Sequence, residues 1–410
     1  MNAGSGRENP RLATDARPRV LMVTGAYYPE LSGASLQCRA LVRTLAGKVD
    51  FSILTTTTDS RLPPHDRVDG RAVSRVVVNP TRLWSKSAAV GRLTRAFGRA
   101  AADRDIVHFH GFSDKTVVLI ALARLAGTRI VMKLTSIGHD DALSLVDRGG
   151  LARWTASHVD CFVAPSPAFA DRHARGPFSG IPLRIIPNGV DLTRFAPAGD
   201  AGRRAARRAI GLDEQARIVL HVGFFSRDKA VDVLFDAWAE SALRWSDSVL
   251  VLVGATRSTY YEVDTAIASR IQNDALWRGL APRVRFVERA DDIEVYYRAA
   301  DIFVLPSLRE GLPNALLEAM ATGVPCIASR LPGVTDALIE DGASGLLIPP
   351  GDRAALTKAL DDLLCDPRRA AVIGAAARQT IVDRYGLEQT AKRYLEMYCD
   401  LLRREAPSPA

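Results

Sequence analysis

Cysteine is scarce and scattered in this 410-residue chain: there are five, at Cys38, Cys161, Cys326, Cys365 and Cys399. None forms a C-x-x-C pair and the count is odd. Neither a disulfide framework nor a cysteine-bound zinc site is indicated, and a reducing cytoplasm fits. Long apolar runs are also missing. Residues 117–123 and 249–253 are typical of the longest, far below the roughly 20 residues a membrane span requires. The stretch up to Arg19 is polar and lacks the apolar core of a secretory signal. No G-x-x-x-x-G-K-[ST], G-x-G-x-x-G, H-E-x-x-H or G-x-S-x-G occurs, which sets aside the phosphate-loop, dinucleotide, zinc-protease and serine-hydrolase chemistries those patterns serve. What remains is ordinary globular material, 47% hydrophobic and 24% charged. At roughly 150 residues per domain its length suggests two or three domains.

Charge divides unevenly. Residues 1–190 hold 26 Lys and Arg against 15 Asp and Glu, and the rest hold 28 against 31. The basic half suits an anionic surface or an acidic substrate. An arginine-rich proteome explains the same excess, and stretches such as 203–209 are consistent with it.

Short apolar runs alternate with helical patterns. Strands are expected over 19–25, 51–55, 73–78, 106–110, 129–134, 161–164 and 184–186, with helices over 35–45, 88–102 and 116–126 between them. Such alternation implies parallel pairing through right-handed crossovers, and one doubly wound α/β domain. Pro182, Pro187, Gly189 and Pro197 then cluster as a connection would. The alternation restarts with strands over 217–222, 248–253, 284–287, 302–305, 325–328 and 345–348 and a helix over 230–243. The chain closes on an amphipathic helix, 387–404, and a Pro/Ser end expected to fray. Two such sheets facing each other across a cleft would put the loops after Gly25, His110, Leu134, Gly223, Gly254 and Pro306 at the site, because ligands of open α/β sheets sit beyond the carboxyl ends of the strands.

The segment 306–321, P-S-L-R-E-G-L-P-N-A-L-L-E-A-M-A, is the most informative. A strand ends at Leu305, a loop carries Glu310, and a helix starts near Pro313 or Asn314, with Glu318 one turn inside. The N–H groups of Asn314, Ala315 and Leu316 leave the helix start and suit an anion such as a phosphate. Two carboxylates bracket that position and accept hydrogen bonds from hydroxyls. A diphosphate with hydroxylated groups at both ends, a nucleotide sugar, satisfies both requirements. Spacing alone equally allows Glu310 on a surface loop and Glu318 in solvent.

The E-x7-E of Glu310 and Glu318 resembles the signature of the retaining glycosyltransferases of family 4, the group 1 glycosyltransferases. Other segments are similar in the same order: 28–35 (Y-P-E-L-S-G-A-S), 105–110 (D-I-V-H-F-H), 186–191 (I-P-N-G-V-D), Val222-Gly223 with Lys229, and 300–307 (A-D-I-F-V-L-P-S). The resemblance covers about residues 18–405 and implies the GT-B fold, two doubly wound Rossmann-like domains facing a central cleft. It implies an acceptor-side domain over 18–187, a nucleotide-sugar domain over 195–386, and a final helix, 387–405, packed back on the first. Glu318 would hold the donor ribose, Glu310 the transferred sugar, and Lys229 the diphosphate leaving group. Gly33 would bring backbone N–H groups near the phosphates, with Gly223 and the helix start of Asn314, Ala315 and Leu316 also on the donor, and His110 would enter the cleft. The implied reaction is metal-independent hexosyl transfer with no cofactor beyond the donor. The acceptor would be a saccharide, a lipid-linked group or a small molecule, with no nucleic acid, in the cytoplasm or at the inner face of the membrane. A disaccharide phosphorylase, a sugar-phosphate synthase, or a nucleotide-sugar binder without turnover is the alternative on the same fold.

Two departures stand out. The family's Gly-Arg after the strand is Gly223-Phe224 here, so either Arg227 substitutes on the diphosphate or Lys229 acts alone with Arg227 in solvent. The usual double glycine near the start is Ser32-Gly33, which leaves position 32 less free. His108 and His110 share one strand face and enter the cleft or pack under a helix together, His110 being nearer the strand end. Lys133, Thr135 and Ser136 end the next strand, as contacts to acceptor or phosphate or as a plain strand end. The pair Asp140-Asp141 fits the start of a helix better than a metal site. Val90, Leu93, Phe97 and Ala101 form a helical stripe beside Arg92, Arg95 and Arg99, with Trp84 ahead of it. That helix either lies on an anionic membrane or packs on the sheet with its arginines in solvent.

Overall fold

Each short apolar run becomes a strand, and the amphipathic stretch after it returns the chain for parallel pairing. A computed structural model of the chain describes residues 17–30, 32–78, 83–256 and 263–403, with only the backbone for 83–89. The side chain of Trp84, the polar start and the Pro/Ser end lie outside the described residues. Two units separate by their internal contacts.

The N-terminal unit takes the described residues up to Ala164, then Arg172–Ile186 and the stretch from Ala391. It contains β1 (Arg19–Thr24), β2 (Asp50–Thr57), β3 (His65–Val68), β4 (Arg71–Val77), β5 (Ile106–His110), β6 (Arg129–Lys133), β7 (Cys161–Ala164) and β8 (Leu183–Ile185). They form one sheet in the order β3-β4-β2-β1-β5-β6-β7-β8. All pairs are parallel except β3 with β4, which departs from the purely parallel expectation. Asp69 and Gly70 cause the exception. Both have positive φ, 48° and 76°, the geometry of a two-residue hairpin turn. The order reverses between β1 and β5, so the loops that follow these two strands diverge there and leave a crevice at their carboxyl ends.

One face of this sheet carries Val20, Met22, Ile53, Ile106, Val131 and Val163. It packs against Leu41 and Val42 of helix Gly33–Thr44 and against Tyr394, Met397, Tyr398 and Leu401 of helix Leu387–Arg403. Helix Leu83–Ala101 buries Leu93, Phe97 and Ala101, while Val90, Arg92, Arg95 and Arg99 are exposed. Three of the four residues of its apolar stripe therefore serve the interior of the unit, and of the two readings for that stripe the geometry agrees with packing.

The C-terminal unit takes Pro165–Asp171 and Pro187–Thr390. It contains β9 (Arg217–Val222), β10 (Ser248–Val253), β11 (Val284–Val287), β12 (Ile302–Leu305), β13 (Cys326–Ser329) and β14 (Leu346–Ile348), paired in parallel in the order β11-β10-β9-β12-β13-β14. Alternate residues face two interiors. Ile218, Leu220, Val251 and Val253 join one cluster, and Val219, Leu250 and Leu252 the other. Burial on both faces is why these strands read as unbroken apolar runs. The order reverses between β9 and β12, and the segments after them hold most of the expected donor residues.

Candidate active site

Residue Gly223 follows directly on β9, its N–H donating to Val253 O at 2.9 Å. A Cβ there would lie 3.1 Å from His221 Nε2. The neighbouring turn is tighter still: Gly254 has φ +154°, and a Cβ on it would stand 1.9 Å from Gly223 O. Only glycine fits that approach. His221 is fully buried, and its Nδ1 lies 3.0 Å from Val304 O, so Nδ1 carries the proton and Nε2 is left an acceptor. Burial holds this imidazole down to about 4, and it is neutral.

The chain then makes a short 3-10 turn, Arg227–Lys229, followed by Ala230 in the left-handed region at φ 47°. That conformation costs an alanine roughly 1 kcal/mol. The turn is tied to the loop after β12: Leu308 N–H donates to Asp228 O at 2.7 Å, and Arg309 Nη2 donates to the Asp228 carboxylate at 2.5 Å. Lys229 is thereby brought to Glu310, with Nζ donating to Oε1 at 2.5 Å. Ser307, fully buried, donates its hydroxyl to the same oxygen at 2.7 Å. Arg227 does not join them. Its side chain is 90% exposed, with Nε 3.5 Å from Asp264 Oδ2. Of the two readings for Arg227, the geometry agrees with the solvent-facing one.

Helix Asn314–Ala321 begins just beyond this loop, and Asn314, Ala315 and Leu316 make its first turn, where backbone N–H groups have no partner inside the helix. Asn188 holds this start: its Nδ2 donates to Leu312 O at 3.1 Å and to Asn314 Oδ1 at 2.8 Å. One turn on, Glu318 Oε2 accepts from the Tyr297 hydroxyl at 2.8 Å. Burial pushes Glu318 up to about 7; the Tyr297 bond and the charge of Arg194 oppose the shift. Glu318 is therefore neither a plain solvent residue nor a fully committed anion at neutral pH. Sequence reasoning gave no role to Asn188, Ser307 or Tyr297. Asn188 had a signal, since it lies inside the Pro187-Asn-Gly-Val-Asp segment.

In the N-terminal unit, Gly33 opens helix Gly33–Thr44 behind Ser32, which caps it. Ser35 N–H donates to Ser32 Oγ at 3.1 Å and Ser32 N–H to Ser35 Oγ at 2.7 Å, a reciprocal capping box. Ser32 has φ −142°, extended backbone open to any residue, so a serine there restricts nothing. His110 ends β5 and stacks on His108 with ring centroids 4.5 Å apart. The two do face the same way, and both are buried. His108 Nδ1 shares a 2.7 Å hydrogen bond with the Tyr398 hydroxyl, whereas neither ring nitrogen of His110 has a partner among the described residues. Burial, with His108 and Lys133 nearby, holds His110 well below its ordinary range and so neutral.

The strand-end loop after Lys133 differs from expectation. Asp140 accepts from Thr135 N–H and Oγ1 and from Ser136 N–H at 2.7–3.0 Å. Asp141 accepts from Gly138, Leu143 and Ser144 and pairs with Arg172 at 2.7 Å. The acidic pair closes the loop, and the short helix, Ser144–Asp147, begins beyond it. Among the described residues no group of three or more His, Cys, Asp or Glu side chains is placed to hold a metal, and no helix is long and apolar enough to cross a membrane.

Comparison with known proteins agrees with this architecture. Residues 216–366 match the family described as "Glycosyl transferases group 1", and residues 31–194 match "Glycosyltransferase Family 4". A GDP-mannose-dependent alpha-(1-6)-phosphatidylinositol monomannoside mannosyltransferase of Mycolicibacterium smegmatis is 31% identical over 94% of this chain and 99% of its own length. A D-inositol 3-phosphate glycosyltransferase of Salinispora tropica is 29% identical over 90% and 81%. Among solved structures, sucrose-phosphate synthase from Thermosynechococcus elongatus superimposes with a TM-score of 0.79 at 24% identity, covering 94% of this chain and 99% of that one. Anabaena HepE in complex with UDP-glucose gives 0.74 at 19% identity, covering 93% and 99%. Both share the fold of two parallel-sheet units. With full-length identity above 30% to one such enzyme, and both halves matched in order, the chain belongs to the group 1 glycosyltransferases and has the GT-B fold.

Proposed function

We propose that this transferase moves a hexose from a nucleotide diphosphate sugar to a hydroxyl acceptor with retention of the anomeric configuration, the donor on the C-terminal unit and the acceptor on the N-terminal one. The observation that carries the reading is the Lys229–Glu310 pair, set between the strand end at Gly223 and the helix start at Asn314. An ammonium has three N–H donors. Lys229 can keep Glu310 and still donate to a diphosphate oxygen, where negative charge grows as the glycosidic bond breaks. Glu310 retains a second oxygen for sugar hydroxyls. Glu318, already bonded to Tyr297, accepts from the ribose. The neutral, unsatisfied His110 is a ready partner for a sugar hydroxyl.

In the reaction the bond from the anomeric carbon to the diphosphate oxygen breaks and its electron pair leaves with the diphosphate. The acceptor oxygen bonds to the same carbon on the same face, and its proton passes to the departing phosphate oxygen. Lys229 and the first-turn N–H groups supply the positive charge, so no metal is needed. The relatives' names point to an inositol derivative as the first acceptor to try.

The test is incubation of the full chain with a panel of nucleotide sugars and inositol derivatives, reading nucleoside diphosphate release and product anomeric configuration by NMR. Retained configuration with turnover unchanged by a chelator is expected. An inverted product, turnover that a chelator abolishes, or no release from any donor overturns the reading.

A further inference from the structure

Lys115 lies in the first turn of helix Asp114–Leu125, just after β5, yet its side chain reaches across β1 to β2. Nζ donates to Thr56 Oγ1 at 2.6 Å, and that hydroxyl donates in turn to Gly25 O at 2.8 Å. A Cβ built on Gly25 would lie 4.0 Å from Nζ, and Gly25 is itself exposed. The ammonium therefore lies over the point where the sheet order reverses, on the side that Gly25 leaves open.

What it lacks there is a counter-charge. Its sequence neighbour Asp114 is turned to Arg148 at 3.7 Å. Arg75, a cation on the neighbouring strand β4, is by contrast engaged by Asp66 at 2.9 Å and by Tyr28 O at 2.7 Å. No carboxylate pairs with Lys115 among the described residues, and burial alone pushes its ammonium down to about 8. A half-buried cation held by one neutral hydroxyl costs the fold stability, and methionine would fill the same space without that cost. Destabilising charge placed at the open end of a sheet is the pattern of a binding group.

We infer that Lys115, with Thr56 and the open edge at Gly25, forms a subsite for a phosphate ester on the acceptor. This rests on the reading of the chain as a glycosyltransferase whose acceptor lies on the N-terminal unit. Lys115 supplies the ammonium, Thr56 orients it, and the missing side chain at Gly25 leaves room for the phosphate oxygens. A phosphate of this kind belongs either to a soluble monoester or to a lipid headgroup, and the chemistry of the subsite is the same for both.

The test is calorimetric titration of the full chain, as wild type, Lys115→Met and Lys115→Arg, with four probes. These are inorganic phosphate, glycerol 3-phosphate, vesicles containing phosphatidylinositol, and a nucleoside diphosphate. Lys115→Met is expected to weaken at least one of the first three at least tenfold, to leave nucleoside diphosphate affinity unchanged, and to melt no lower than wild type. Loss for glycerol 3-phosphate assigns a soluble acceptor, and loss for vesicles alone assigns a headgroup. Lys115→Arg, which keeps the charge, retains most of the binding. Unchanged affinity for all phosphate probes in Lys115→Met overturns the inference. So does an equal loss of nucleoside diphosphate affinity, which would assign Lys115 to the donor. If Lys115→Met does not fold, Lys115→Gln is read in the same way. Failure of the wild type to bind any nucleoside diphosphate would count against the donor reading alone.

Discussion

Two crevices occupy equivalent places in the two units, each where the strand order reverses, and they handle charge in opposite ways. In the C-terminal unit the cation brings its own partner: Lys229 is bonded to Glu310, and Ser307 supports the same oxygen. In the N-terminal unit Lys115 has only a hydroxyl, and the imidazole of His110 has no partner at all among the described residues. The first crevice is electrostatically closed before any ligand arrives. A ligand there must compete with, or share, an existing pair. The second is left with unmet bonding capacity that a ligand can satisfy. One topology thus supports a site with its charges already paired and a site short of an anion.

The comparison is tested first where the effect is largest. Glu318→Ala should weaken nucleotide-sugar binding by about 1.5–3 kcal/mol, because ribose hydroxyls lose a charged acceptor. Unchanged affinity by calorimetry would remove Glu318 from the donor site. Its titration gives a second handle. The folded-state value is raised from the ordinary 4.5 to about 7, so the carboxylate forms only as pH climbs through 7. Donor affinity should therefore rise from about pH 5.5 through 7 and level roughly one pH unit higher, and Glu318→Gln should flatten the profile. The fold itself responds with the opposite sign. The raised value means the folded chain holds that proton more tightly, so this group's contribution to stability is lost as pH rises from about 4.5 through 7.

Next is Lys229→Ala, expected to lower turnover at saturating donor by at least about tenfold, or roughly 1.4 kcal/mol of barrier. Full activity would leave the leaving group without an assigned side-chain cation. Glu310→Gln probes the pairing itself. It keeps the shape but removes the countercharge, so nucleoside diphosphate should bind severalfold tighter while turnover falls. Weaker binding would mean that Glu310 holds Lys229 in place rather than holding its charge in check. The smallest effect is expected for Arg227→Ala, less than about twofold in turnover, as for other solvent-facing residues. A tenfold loss would show that the arginine swings in when the donor binds.

Much of this architecture is legible in the chain itself. Strands β5, β7, β9, β10, β11 and β12 begin and end where their apolar runs do, because all but the edge strand β11 are covered on both faces and nearly every residue in them is selected for burial. Strand β3 escaped. His65, Asp66 and Arg67 are exposed at a sheet edge and carry no apolar alternation, although the Asp69-Gly70 pair after them is a hairpin signal. In the site, Glu310 and Glu318 were visible as a spaced pair. Their partners were not. Lys229 lies 81 residues from Glu310 and Tyr297 lies 21 from Glu318, and only the folded loops bring them together. Lys115 was invisible for another reason. A lysine opening a helix looks like solvent until the sheet order shows which strands its side chain crosses.

The helix Leu387–Arg403 also bears on the order in which the molecule can be assembled. Ala391, Tyr394, Met397, Tyr398 and Leu401 complete the core beneath β1, β2 and β5, yet they follow β8 by about 200 residues. During synthesis at roughly 5–20 residues per second, that face waits on the order of 10–40 s for its cover. Every residue of the C-terminal unit has been made by then. The half of the protein that leaves the ribosome first is therefore the half that finishes folding last, and its exposed sheet face is the surface a chaperone would have to guard in the interval.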